Sequence, residues 1–265
     1  MSGSQKRVVL ASVVIILAIA TAAALIPKKS QGLNNVRSDG RVQGQNQKEP
    51  SPIQEGVMTE KQKKHSKLFK GYDDVTKGKK LHDMVAEKGD VNAGRFVPEQ
   101  IVPQLTLDQY LNSLACKADA VMIGTVQSAS SQIIDEGTFV FTDYQVVARE
   151  IVKDNSSSPV LLDHEITVTR SGGAVKLNGH AVRTVDYSQQ TLDVGGEYLF
   201  FLRFDPLTND YRSFNNSLGE DAFRLRGKKI AQVSSVPLPL GTGVEADVTS
   251  FMTAVRNALR DPCSN

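Results

Sequence analysis

The side chains on which chemistry could be built are four histidines, two cysteines and the adjacent acidic pairs Asp135-Glu136 and Glu220-Asp221. His65 and His82 fall in a polar tract, and His164 and His180 fall within or near strand turns. None shares the short spacing that puts two imidazoles on one face of a zinc-binding helix. Each is expected to face solvent or to hydrogen-bond locally. Paired carboxylates do acid/base work or hold a cation only when their surroundings separate their pKa values or align their oxygens. Beside Gly137 and Gly219, both pairs read instead as solvated turns. There is no Walker phosphate loop, G-x-S-x-G elbow, H-E-x-x-H pair or calcium-loop series. No catalytic residue, cofactor or metal is assigned.

Two basic groups could meet an anionic partner. One comprises Lys61, Lys63, Lys64 and Lys67, with Lys70 close behind; the other comprises Arg224, Arg226, Lys228 and Lys229 beside the Asn215-Asn216-Ser217 turn. A solvated surface is the competing reading for both, because charge runs often serve only to keep a chain soluble. Asn155-Ser156-Ser157 and Asn215-Asn216-Ser217 have glycosylation spacing, and their composition marks loops.

Elements that could position these groups begin at Thr106. Thr106 and Gln109 form a capping-box pair, and Leu107, Tyr110, Leu111, Leu114 and Ala115 recur on one face, predicting a helix over 107–117. Strands are expected over 120–126, 139–153, 165–170, 174–177 and 197–204, with weaker ones over 223–230 and 231–236. Along 139–153 the residues Val140, Thr142, Tyr144, Val146, Ala148 and Val152 share a parity that Glu150 interrupts, as at a bend or bulge. Strand 197–204 is apolar on both faces and should be central. A last helix begins near Asp247, presents Val248, Phe251, Val255, Ala258 and Leu259, and ends before Pro262.

The amino-terminal part differs. Residues 8–26 form an apolar run after Lys6 and Arg7, long enough at 1.5 Å per residue to span about 28 Å of hydrocarbon. It reads as a cleaved signal peptide or a retained transmembrane anchor, and either exports the rest. Residues 28–100 are polar and basic, with 15 Lys and Arg against 10 Asp and Glu from residue 27 onward, and read as a largely disordered linker. Residues 101–265 carry 14 against 19 and form the folded domain. This balance does not resemble a folded nucleic-acid reader. With 40% hydrophobic residues in 265, the chain can bury a real core.

Cys116 closes the first helix and Cys263 follows the last. After export the two could form a structural disulfide, with two buried thiols or one reactive thiol as alternatives. The segment Cys116-Lys117-Ala118-Asp119-Ala120-Val121-Met122-Ile123-Gly124-Thr125-Val126 resembles the opening of netrin-like or tissue-inhibitor-of-metalloproteinase-like barrels over residues 106–265. Five to seven strands between two terminal helices predict a mainly β fold, a small antiparallel OB-like barrel with an α-helix before and after it, because closure leaves few exposed edges, and the resemblance implies the same plan. The C-x-C opening is absent and Cys116 has no freed amino group, so no inhibitory mechanism is carried over.

The functional expectation is an exported, envelope-associated, non-enzymatic binding or adaptor domain. Its partner would be a protein or envelope polymer, or the membrane itself if the apolar run is retained. An extracellular hydrolase assembled from distant loops and a tethered structural domain are the alternatives.

Overall fold

The structure, a computed structural model, describes residues 53–54, 56–95, 105–187, 189–214, 221–233, 245–260 and 263. In chain order these residues form β1 (Ile53–Gln54), α1 (Glu60–Ser66), two short 3-10 turns (Lys67–Phe69 and Tyr72–Thr76), α2 (Leu81–Lys88) and β2 (Val91–Arg95). There follow α3 (Leu107–Lys117), β3 (Ala120–Ile133), β4 (Val140–Lys153), β5 (Glu165–Ser171), β6 (Gly173–Leu177) and β7 (His180–Asp186). The last elements are β8 (Glu197–Asp205), β9 (Asp210–Arg212), β10 (Ala222–Arg226), β11 (Lys229–Gln232), β12 (Glu245–Asp247) and α4 (Val248–Arg260).

Local chemistry explains the helices that the periodicity predicts. At α3 the Thr106 hydroxyl accepts from the Gln109 amide and the Gln109 side chain accepts from the Thr106 amide, satisfying two otherwise orphaned donors. At α4 the Asp247 carboxylate accepts from the Ser250 amide at 3.0 Å. Both helices bury their apolar faces on one side of the large sheet, where Tyr110, Leu111, Leu114, Phe251 and Val255 meet Leu199, Phe201, Phe223 and Ile230. On the opposite side of β8, Tyr198, Phe200 and Leu202 pack with Met122, Tyr144, Val146 and Val168. The two-sided apolarity of this strand thus has the cause inferred from sequence. Glu150 lies between two register shifts of the β3–β4 ladder, where a bend or bulge was expected.

The closed antiparallel barrel is overturned. The strands divide between an eight-stranded sheet, ordered β12-β11-β10-β8-β3-β4-β5-β9, and a four-stranded sheet, ordered β1-β6-β7-β2. β9 meets β5 through two parallel rungs and β8 through three antiparallel ones, which rolls that end of the large sheet. The ladder also runs on through β10 and β11 to an edge at β12, while β6 and β7 leave for the second sheet. The expectation assumed that closure was needed to remove exposed edges. Here β12 leaves an edge of only three residues, and the β6–β7 hairpin is flanked by β1 and β2. Helices and strands are interspersed along the chain, and the netrin-like or inhibitor-like plan does not apply.

The linker reading also fails for residues 56–95. Leu81, Val85, Val91 and Ala93 pack on Ile133, Val140, Val175, Leu177 and Val182. Phe69 stacks on Phe141 with centroids 5.6 Å apart, and Tyr72 meets Phe139 at 4.9 Å. These short helices would be marginal alone, and burial against the sheet orders them. Residues 28–52 and the apolar run 8–26 lie outside the described residues. Among the described residues no helix is long and apolar enough to cross a membrane.

Close packing where the chain leaves β5 for β6 makes a local prediction. A Cβ added at Gly173 would stand 2.3 Å from Thr142 Oγ1 and 2.8 Å from Ser131 Oγ. Those hydroxyls are bonded to each other at 2.8 Å, and Thr142 donates to the Gly172 carbonyl at 2.7 Å. Gly173→Ala is therefore expected to cost about 1–3 kcal/mol as the hydroxyls are displaced, read as a lower urea midpoint.

Candidate functional site

The most concentrated buried ionic chemistry lies where α1 meets the large sheet. The Thr59–Gln62 capping box sets the start of α1, and one turn further His65 projects into the interface, fully buried. Its Nδ1 lies 3.0 Å from Asp143 Oδ2 on β4, and its Nε2 lies 3.1 Å from Asp210 Oδ2 on β9. Thr169 donates its hydroxyl to Asp143 Oδ1 at 2.6 Å. Lys61, one turn earlier on α1, reaches Asp210 Oδ2 at 2.9 Å and the Thr167 hydroxyl at 2.9 Å. The neighbouring side chains extend the seam: Gln62 donates to Ser130 Oγ at 3.2 Å, and Ser66 Oγ accepts the Asp135 amide at 2.8 Å.

This geometry selects one protonation state. Burial alone opposes a charged ring, but hydrogen bonds to Asp143 and Asp210 and their negative charges outweigh it, raising the His65 pKa from 6.5 to about 9. Burial likewise opposes ionisation of Asp210, yet the hydrogen bonds from His65 and Lys61 hold its pKa below the usual carboxylate value. At neutral pH the imidazolium and the Lys61 ammonium face two carboxylates, and the cluster carries no net charge. Both ring nitrogens act as donors, so His65 keeps no lone pair for accepting a proton from a substrate. What the cluster can do is fasten α1 to β4 and β9. Removing the imidazolium would leave Asp143 with the Thr169 hydroxyl and Asp210 with Lys61, each carboxylate buried and short of one charged partner.

A second buried pair lies further along β5. Arg170 reaches Asp221 Oδ1 and Ser213 Oγ, each at 2.9 Å, while Asp221 also accepts from the Phe214 amide. Burial raises the Asp221 carboxyl against the pull of Arg170. Of the acidic pairs, Asp135-Glu136 is an exposed turn as expected, but Asp221 is a core residue. Its solvated-surface reading is corrected, because Arg170 and the Phe214 amide supply the partners that water would have supplied.

Cys116 and Cys263 form a disulfide with Cα atoms 4.8 Å apart, tying the last turn of α3 to the chain beyond α4. The basic residues do not assemble into one surface. Lys61 is committed to the buried cluster and Lys63 pairs with Glu60 at 2.7 Å, while Lys64 and Lys67 face solvent from α1 and the following turn. Arg224 pairs with Asp193 beside the Tyr198 ring. Arg226, Lys228 and Lys229 are exposed around the β10–β11 turn. His82, His164 and His180 are exposed; His65 departs from the expectation for all four. Its partners are 78 and 145 residues away, beyond any local motif. The available signal was Phe139 and Phe141, whose parity is opposite to the recognised buried series and implies that something covers the second face of β4.

Among the described residues no group of three or more His, Cys, Asp or Glu side chains is arranged to hold a metal ion. No protein-family model matches the chain, and no curated protein matches it.

Proposed function

We propose that the chain is an exported, non-enzymatic binding or adaptor module of the cell envelope. The observation that carries this reading is the Cys116–Cys263 bond, since a disulfide spanning most of a domain persists in oxidising compartments. The apolar run at residues 8–26 supports the same location. His65, with both ring nitrogens on carboxylates, serves in this reading as a structural tie of α1 to the sheet. Residues 56–95 belong to the module.

Alkylation of thiols in intact cells, followed by fractionation and crosslinking, tests the proposal. It expects an extracytoplasmic protein with no alkylatable thiol and a reproducible crosslinked partner. Recovery in the cytosolic fraction with both thiols reduced contradicts it.

A further inference from the structure

Arg203 on β8 and Arg212 on β9 are direct cross-strand partners, an arrangement in which like charges repel. Arg203 is exposed and Arg212 half-buried. The Arg212 Nε is buried and makes no hydrogen bond. Lys117 is the last residue of α3, and two residues on the Asp119 amide donates to the Leu202 carbonyl at 2.8 Å, so the helix ends against β8 next to Arg203. Burial and then the charge of Arg203 lower the pKa of Lys117, and the same two causes in the same order lower that of Arg212. Among the described residues none of these three cations makes a salt bridge. The nearby carboxylates are engaged elsewhere: Asp119 accepts the Phe204 amide at 2.8 Å and Asp205 accepts the Leu207 amide at 2.9 Å. They moderate the positive field around Arg212 without pairing with it.

We propose that Lys117, Arg203 and Arg212 form a binding site for a tetrahedral oxyanion, a phosphate or sulfate group either free or carried on a polymer. Two guanidinium forks and an ammonium, brought from two strands and a helix end, offer several donors to one small multivalent anion. A bound dianion would also relieve the repulsion between the two arginines. This site is separate from both basic groups singled out in the sequence. Its residues at 117, 203 and 212 are joined only by the pairing of β8 with β9 and by the end of α3. It adds a ligand chemistry to the binding reading but does not depend on export.

The test is thermal unfolding of the full chain in inorganic phosphate and in sodium chloride of equal ionic strength, with Arg203→Gln and Arg212→Gln alongside. Phosphate is expected to raise the wild-type midpoint by several degrees above the chloride control and to have little effect on either variant. In chloride, Arg203→Gln should unfold no earlier than wild type, because it removes a repulsive pair. Arg203 is exposed, so that variant remains informative even if Arg212→Gln folds poorly. A polyphosphate arm separates the sources: greater protection per phosphate indicates a polymer, and equal or smaller protection a free ion. Equal protection by chloride, or an undiminished phosphate response in Arg203→Gln, overturns the site. Neither result bears on the cellular location of the chain, which the alkylation experiment decides separately.

Discussion

His65→Ala is expected to destabilise the protein by about 3–5 kcal/mol, the range seen when one partner of a buried ion pair is removed. For a domain of this size each kcal/mol lowers the unfolding midpoint by about 2–4 °C, so calorimetry should register a fall of roughly 10 °C. The cause is electrostatic as much as steric. Asp143 and Asp210 are both more than nine-tenths buried and converge on the same ring. His65→Gln retains donor capacity without the charge and should fall between wild type and alanine.

The same residue sets a pH dependence. Its folded pKa of about 9 lies above the ordinary 6.5, so its contribution is complete below pH 6.5 and lost as pH rises through about 9. The shift corresponds to about 3 kcal/mol, in accord with the mutational range. Asp210 acts in the opposite sense: with its pKa held below 3.8, its contribution is present above that value and lost on acidification. The cluster is therefore at full strength between about pH 3.8 and 6.5. His65→Ala should flatten the alkaline limb of the stability profile.

The second large effect concerns the disulfide. Cys116 and Cys263 are 147 residues apart, and the chain-entropy relation for a loop of that length gives about 5 kcal/mol as an upper figure. Cys116→Ser, Cys263→Ser and the double variant should be destabilised alike, since each removes the same bond. Reduction of the wild type should lower its midpoint to match theirs. A double variant much less stable than either single one would show that the thiols contribute separately.

What could be read in advance was governed by how local the cause was. The α3 cap depends on Thr106 and Gln109, three positions apart, and its bounds at Leu107 and Lys117 follow the apolar spacing closely. The central place of β8 was written in five consecutive aromatic and aliphatic residues, Tyr198 to Leu202, which pack on both sides of the sheet. The three-residue strands β9 and β12 are too short to display a period, and without them the sheet order could not be drawn. Residues 56–95 read as solvated because their apolar side chains are few. Phe69, Tyr72, Leu81, Val85, Val91 and Ala93 are nonetheless buried, packed with strands far along the chain. The ionic cluster was least legible: its members sit on α1, β4 and β9, and only tertiary structure joins them.

The ionisation of His65 is most directly measured by NMR titration of the full chain with 15N-labelled imidazole nitrogens. Protonation of both ring nitrogens at neutral pH, with a transition near pH 9, is the predicted result. A ring that titrates at or below 6.5, or that keeps one unprotonated nitrogen at neutral pH, would contradict the ionic lock and leave His65 available as a base.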